Sequence, residues 1–210
     1  MPKTQCFNNH YQEYDNWFER NRFAYLSELE AVKHFIPAEG EGLEVGVGSG
    51  QFAKPLGIQK GLEPSAAMRK LAEKLGLEVC DGVAEALPFQ DMSFDYVTMI
   101  TTICFLDDAH QAFREVHRIL RQDGTFIIGL VDKESPLGQI YAARKLENVF
   151  YKDATFYSVQ DVLDLLNENG FAGIEIIQTV FGSVGSIDHV QAFTDGHGEG
   201  GFVVIKAIKG

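Results

Sequence analysis

The sequence predicts an α/β protein: a doubly wound, seven-stranded, mostly parallel sheet with an antiparallel hairpin at its C-terminal end. Three observations predict it. Short apolar runs of strand length alternate with stretches of helical period, the pattern of a parallel sheet covered by helices. One such run leads directly into a glycine turn, Gly46-Val47-Gly48-Ser49-Gly50, and then into a helical stretch. The last two apolar runs are separated by a glycine-rich stretch, residues 182–201, with no helix to carry a parallel crossover, so they are expected to pair antiparallel at one edge.

The elements follow in order. Residues 8–35 read as helical: Tyr11, Tyr14, Trp17 and Phe18 recur at steps of three and four. Phe23, Leu26, Leu29, Val32 and Phe35 continue the stripe until Pro37, Gly40 and Gly42 end it. A strand is expected over residues 42–45, a short helix over 51–56 and a second strand over 58–62. Ser65 is a good N-cap for a helix through Leu75, with Gly76 as its C-cap. Strands at 77–80 and 94–100 flank a loop over 81–91. Asp107 or Asp108 opens a helix through Leu120, and a fifth strand covers 124–131. Pro136 sits in the first turn of an inserted helix over 135–149. Ser158 caps a helix over 159–169 that Gly170 ends, before strands at 173–180 and 202–208. The 210 residues read as one domain: an N-terminal helical lid (1–36), a ligand-binding core (42–131), a helical insert (135–157) and a C-terminal helix and hairpin (158–210).

Composition narrows the class. The chain is 45% hydrophobic, enough for a full core, and its longest apolar runs are strand-sized, far short of the roughly 18 residues of a membrane span. Residues 1–21 are polar and aromatic, without the charged start and apolar centre of a signal peptide, so a cytoplasmic protein is expected. Eighteen Lys and Arg against 30 Asp and Glu give a net charge of −12, and the basic residues are scattered. Such a field repels phosphates, so neither a nucleic acid nor a membrane is an expected partner. A neutral or cationic small molecule is the expected substrate, acted on by a monomer or homodimer. Cys6, Cys80 and Cys104 form no paired motif, so no metal site or disulfide framework is indicated; Cys80 and Cys104 are expected to pack near strands.

In such sheets ligands bind outside the carboxyl ends of the strands, where the strand order switches. Four predicted strand ends carry unusual residues. The first ends in the glycine turn, the second at Glu63, the third at Asp81-Gly82-Val83-Ala84-Glu85 and the fourth at Thr101-Thr102. Three glycines at alternate positions let backbone turn tightly at positive φ and approach a ligand closely. Gln51 stands where a dinucleotide loop places its third glycine. Glu44, opening the turn, is a poor neighbour for pyrophosphate and suits an ammonium group. Glu63, 13 residues after Gly50, can accept both hydroxyls of an adenosine ribose; that weighs against the 2′-phosphate of NADP.

Residues 43–130 resemble a class I S-adenosylmethionine-dependent methyltransferase of the methyltransferase-11 (UbiE-like) type. The resemblance rests on GLEVGVGSGQF at 42–52, GLEPSAAM at 61–68, GVAEALPFQDMSFDYV at 82–97 and AFREVHRILRQDGTFIIG at 112–129. It implies a Rossmann-like methyltransferase fold with S-adenosylmethionine as cofactor. It implies that Glu44, Gly46, Gly48 and Gly50 hold the methionine part and that Glu63 binds the ribose. Pro64 and Met68 would lie near the adenine, with Val83, Ala84 and Glu85 lining its side. Val83 departs from the family, which often has Asp there to accept from the adenine amino group. Phe89, Phe94 and Val97 read as core, and His117 as helix packing.

Methyl transfer from a sulfonium is an in-line displacement with an activated donor, so the protein mainly supplies proximity and orientation. No catalytic triad is present, and a general base is needed only if the acceptor must lose a proton. Thr101, Thr102 and Phe105 are the candidates beside the sulfonium, Phe105 through a cation–π contact. Tyr11, Tyr14 and Trp17 form a lid over the acceptor or simply dock an aromatic stripe on the sheet. Acceptor recognition is assigned to the N-terminal helices, the late loop and the aromatic-rich segment with Tyr141, Phe150, Tyr151, Phe156 and Tyr157. His189 and His197 are candidate bases in the late loop. Two alternatives stay open: a non-catalytic module that binds the same cofactor, and an NAD-dependent oxidoreductase, against which Gln51 and Glu44 count.

Overall fold

The computed structural model describes residues 4–210. The first three residues of the polar N-terminal stretch lie outside the described residues. The fold begins with two helices, α1 (Gln5–Arg20) and α2 (Arg22–Phe35), broken at Asn21, whose side-chain amide donates to the Trp17 carbonyl at 3.1 Å. β1 (Gly42–Val45), α3 (Ala53–Leu56), β2 (Lys60–Leu62), α4 (Ala66–Lys74), β3 (Glu78–Cys80) and β4 (Phe94–Ile100) follow. Then come α5 (Ala109–Ile119), β5 (Leu120–Val131), α6 (Pro136–Ala143), α7 (Val159–Glu168), β6 (Phe171–Thr179), β7 (Thr194–Asp195) and β8 (Phe202–Lys209). No helix among the described residues is long and apolar enough to cross a membrane.

The helix starts are chemically explicit. Ser65 accepts from the Met68 N–H, and Asp108, rather than Asp107, caps α5 through the Gln111 N–H. Ser158 and Asp161 form a reciprocal capping box on α7. The insert is shorter than expected: α6 stops at Ala143, Arg144 leaves helical geometry, and a 3₁₀ turn spans Lys145–Glu147.

The sheet runs β3-β2-β1-β4-β5-β8-β6-β7. The first five strands are parallel and the last three antiparallel to their neighbours. This is the predicted architecture with one correction: the described residues hold eight strands rather than seven, because the two-residue β7 forms inside the glycine-rich stretch. The antiparallel β6–β8 pair lies toward one edge as expected, with the last strand, β8, on the inner side between β5 and β6. The reason lies in β8 itself, where Phe202, Val203, Val204 and Ile205 are fully buried. A continuous apolar run needs cover on both faces and neighbours on both edges, which only an interior strand has. At the opposite edge, Cys80 on β3 is exposed, contrary to expectation, while Cys104 is half-buried.

Helices cover both faces. α5 and α7 bring Phe113, Val116, Ile119, Val162 and Leu166 against one; α2 brings Ala24, Leu29, Val32 and Phe35 against the other. Phe94 and Val97 are buried, Phe89 packs partly buried beside them, and His117 stacks edge-on against Phe171 at 5.3 Å, all as expected. The strand order reverses at β1, between β2 and β4, so a crevice opens at their carboxyl ends, under α1.

Candidate active site

The crevice is a cavity of about 910 Å³. Its floor begins at the glycine turn. Gly46, Gly48 and Gly50 all hold positive φ, at 73°, 55° and 88°. At Gly46 a Cβ would collide with the Thr102 side chain. At Gly48 it would point into the gap beneath α1, 3.5 Å from the Tyr14 hydroxyl. Gly46 and Gly48 line the cavity; Gly50 packs away from it, toward Leu75 and Leu77, and serves the turn.

Two carboxyls flank this turn. Glu44 is 2% exposed on β1 and does not line the cavity wall; its Oε2 has no hydrogen-bond partner among the described residues. Burial holds its carboxyl well above the usual range, the Ala53 backbone N–H partly opposing. Glu63, just past β2, lines the cavity and accepts from the Gly48 N–H at 3.0 Å and the Ser65 N–H at 2.8 Å. Burial raises its carboxyl too, against those two N–H groups. Glu63 thus binds the second strand end to the glycine turn, a role its spacing did not reveal.

Pro64, Met68, Val83, Ala84 and Glu85 continue the wall. The loop carrying the last three is held from behind by Arg118, which donates to the Leu87 and Phe89 carbonyls and pairs with Asp91 and Glu115. Glu85 Oε1 accepts from the Asp107 and Asp108 N–H groups at 2.8 and 3.2 Å, so one of its oxygens serves the backbone. Thr101 and Thr102 line the cavity after β4. Thr101 has φ of +50°, rare for a β-branched residue, and costs on the order of 1–3 kcal/mol of backbone strain at the cavity edge.

The roof is aromatic. The Phe7 ring on α1 lies 5.0 Å from Phe105, 5.6 Å from Phe150 and 5.8 Å from Tyr14. Tyr151 meets Tyr141 at 5.3 Å. Tyr14, Trp17, Phe105, Tyr141, Phe150 and Tyr151 all line the cavity; Tyr11, Phe156 and Tyr157 do not. The late loop contributes Val184 alone. His189 pairs with Asp188 on the exterior, and His197 lies 3.9 Å from Asp132; neither reaches the cavity wall.

Three polar side chains of α1 and α2 make contacts that the sequence did not reveal. Asp15 Oδ1 accepts from the Ser49 hydroxyl at 2.6 Å and the Gln51 amide at 2.9 Å. Asn8 Oδ1 accepts from the Ser65 hydroxyl and the Ala67 N–H. The Tyr25 hydroxyl donates to the Gln51 carbonyl at 2.6 Å. Together they stitch the N-terminal helices to the glycine turn and the start of α4. The available signal was a polar residue on the aromatic face of α1, but no local rule names its partner.

Residues 43–128 match the family described as a methyltransferase domain. An S-adenosylmethionine-dependent methyltransferase from Thermotoga maritima, described as a possible histamine N-methyltransferase, has a similar structure. It superposes with a TM-score of 0.96 at 46% identity, over 98% of this chain and 99% of that one. An uncharacterized protein of Methanocaldococcus jannaschii is 43% identical over 97% of this chain and 98% of its own length. An uncharacterized methyltransferase of Bacillus subtilis, YcgJ, is 34% identical over 47% of this chain and 43% of its own.

Proposed function

We propose a small-molecule acceptor and an in-line transfer for this chain, which belongs to the class I S-adenosylmethionine-dependent methyltransferases and so takes its methyl group from S-adenosylmethionine. The observation that carries the acceptor is the shape of the cavity. At about 910 Å³ it is near the top of the roughly 300–1,000 Å³ usual for small-molecule sites, with room beyond a donor. Its roof of Phe7, Tyr14, Phe105 and Phe150 suits a compact guest rather than a polymer. The net charge of −12 disfavours nucleic acid as well, and a cytoplasmic setting completes the reading.

The residues present fit the donor. Glu44 sits just behind the lining residues Val45 and Gly46, and its Oε2, which no described residue satisfies, is a buried acceptor of the kind an ammonium group satisfies. Gly46 and Gly48 let backbone come close, and Glu63 keeps lone pairs for ribose hydroxyls after accepting its two N–H groups. Pro64, Met68, Val83 and Ala84 form the apolar wall we assign to the adenine, with Val83 contributing no side-chain acceptor. When bound, S-adenosylmethionine supplies a methyl group already activated on a sulfonium. The chain's own contribution is then orientation: Thr101 and Thr102 at the rim, and Phe105 above it. Effective alignment of this kind is worth about 7–11 kcal/mol.

Two measurements test this. Calorimetry with S-adenosylhomocysteine is expected to show binding to the folded protein, and absence of heat would defeat the assignment of the cavity. Release of S-adenosylhomocysteine is then followed across small acceptors, beginning with histamine because of the Thermotoga relative's description. Turnover confined to a protein or nucleic acid would overturn the small-molecule reading.

A further inference from the structure

α2 carries one residue that neither the glycine turn nor the donor requires. Glu28 lies on its buried face among Ala24, Leu29 and Val32, is 7% exposed, and lines the cavity. α2 packs over β5, β6 and β8, whereas Glu63, which lines the same cavity, follows β2 on the other side of β1. Burial pushes its carboxyl up to about 8, and no cation or hydrogen bond of the described residues opposes it. Four phenols, Tyr14, Tyr25, Tyr141 and Tyr151, lie close enough to be raised by its charge.

A buried acid without a partner is expensive, and a leucine or glutamine would cost less in the same place. Its position in a cavity wall gives it a use: it stays protonated while the cavity is empty and takes on its charge when something positive enters. Apolar Val131, Leu137 and Val184 line the same cavity. We propose that Glu28 anchors a basic nitrogen of the acceptor, which makes the acceptor an amine with a flat, apolar body. The proposal rests on the small-molecule reading above and adds the chemical class to it. The tyrosine rings reinforce the choice, since their faces attract a cation and repel a carboxylate. The chain's negative field acts in the same direction on a cation approaching the mouth.

The test uses the full chain saturated with S-adenosylhomocysteine, with 2-phenylethylamine and its uncharged counterpart 2-phenylethanol as probes. Calorimetry is expected to show the amine binding the wild type about 10- to 100-fold more tightly than the alcohol. In Glu28→Gln that preference is expected to vanish, and in Glu28→Asp to be partly kept, while S-adenosylhomocysteine affinity is unchanged in both. The unchanged cofactor affinity shows that the variants are folded. Amine and alcohol binding the wild type alike, or a preference that survives in Glu28→Gln, overturns the role of Glu28 and leaves the small-molecule reading intact. A wild type that binds S-adenosylhomocysteine but neither probe counts against both.

Discussion

Raising the pH from 5 to 8 ionises Glu28 in the unfolded chain while burial keeps it protonated in the fold, so the unfolded state gains. Its carboxyl sits at about 8 in the fold against an ordinary 4.5, and burial is the cause. Between those values the folded chain keeps a proton that the unfolded chain has released. Stability from this group is therefore highest below pH 4.5 and declines as pH rises, by about 1.4 kcal/mol per pH unit, until the fold also deprotonates near pH 8. Over pH 5 to 8 the loss amounts to about 3–4 kcal/mol. For a chain of this size that is roughly 10 °C in melting temperature. The groups facing Glu28 do not obscure it: Tyr14 and Tyr151 are raised by burial, and Tyr25 and Tyr141 are raised to about 12, so all four stay neutral. Glu44 and Glu63 titrate in the same direction but are common to both proteins. The assay is thermal unfolding of the wild type and Glu28→Gln, without ligand, at several pH values. The wild type is expected to lose roughly 10 °C more than the variant between pH 5 and 8. Parallel curves would refute the reasoning, for they would mean that Glu28 ionises in the fold without penalty.

Other predictions follow from the same contacts. Gly48→Val is expected to abolish S-adenosylhomocysteine binding while costing only about 1–2 kcal/mol for its left-handed backbone, whereas Gly46→Ala destabilises further by driving its Cβ into Thr102; calorimetry and denaturant unfolding separate the two. Glu63→Ala is expected to weaken cofactor binding by roughly 1–3 kcal/mol, and also to lower stability because the Gly48 and Ser65 N–H groups lose their acceptor. Asp15→Ala leaves Ser49 and Gln51 without their tie to α1; hydrogen exchange is expected to rise over α1 but not over β1, β4 or β5.

The half of the cavity proposed for the donor was legible because it is local. The glycine turn, Glu63 and the loop around Val83 to Glu85 each sit within a few residues of a strand end, and strand ends converge in any doubly wound sheet. The half proposed for the acceptor was legible only as composition. The aromatics at 141–157 marked a binding surface, yet Tyr141, Phe150 and Tyr151 face the cavity while Phe156 and Tyr157 turn away. Helical period placed Tyr11, Tyr14, Trp17 and Phe18 on one face; only docking decided that Tyr14 and Trp17 reach the cavity and Tyr11 does not.

By itself, then, the sequence determined most of the elements, the caps at Ser65 and Ser158, the parallel core and, through its resemblance to a family, the methyl donor, because each depends on residues near one another along the chain. The tertiary structure alone decided that β8 lies between β5 and β6, that Asp15 reaches the glycine turn, and that Glu28 faces the cavity rather than solvent. Periodicity says which face of an element is buried. What that face is buried against depends on partners far away in sequence, and a carboxylate on it becomes a structural anomaly or a binding group only when those partners are in place.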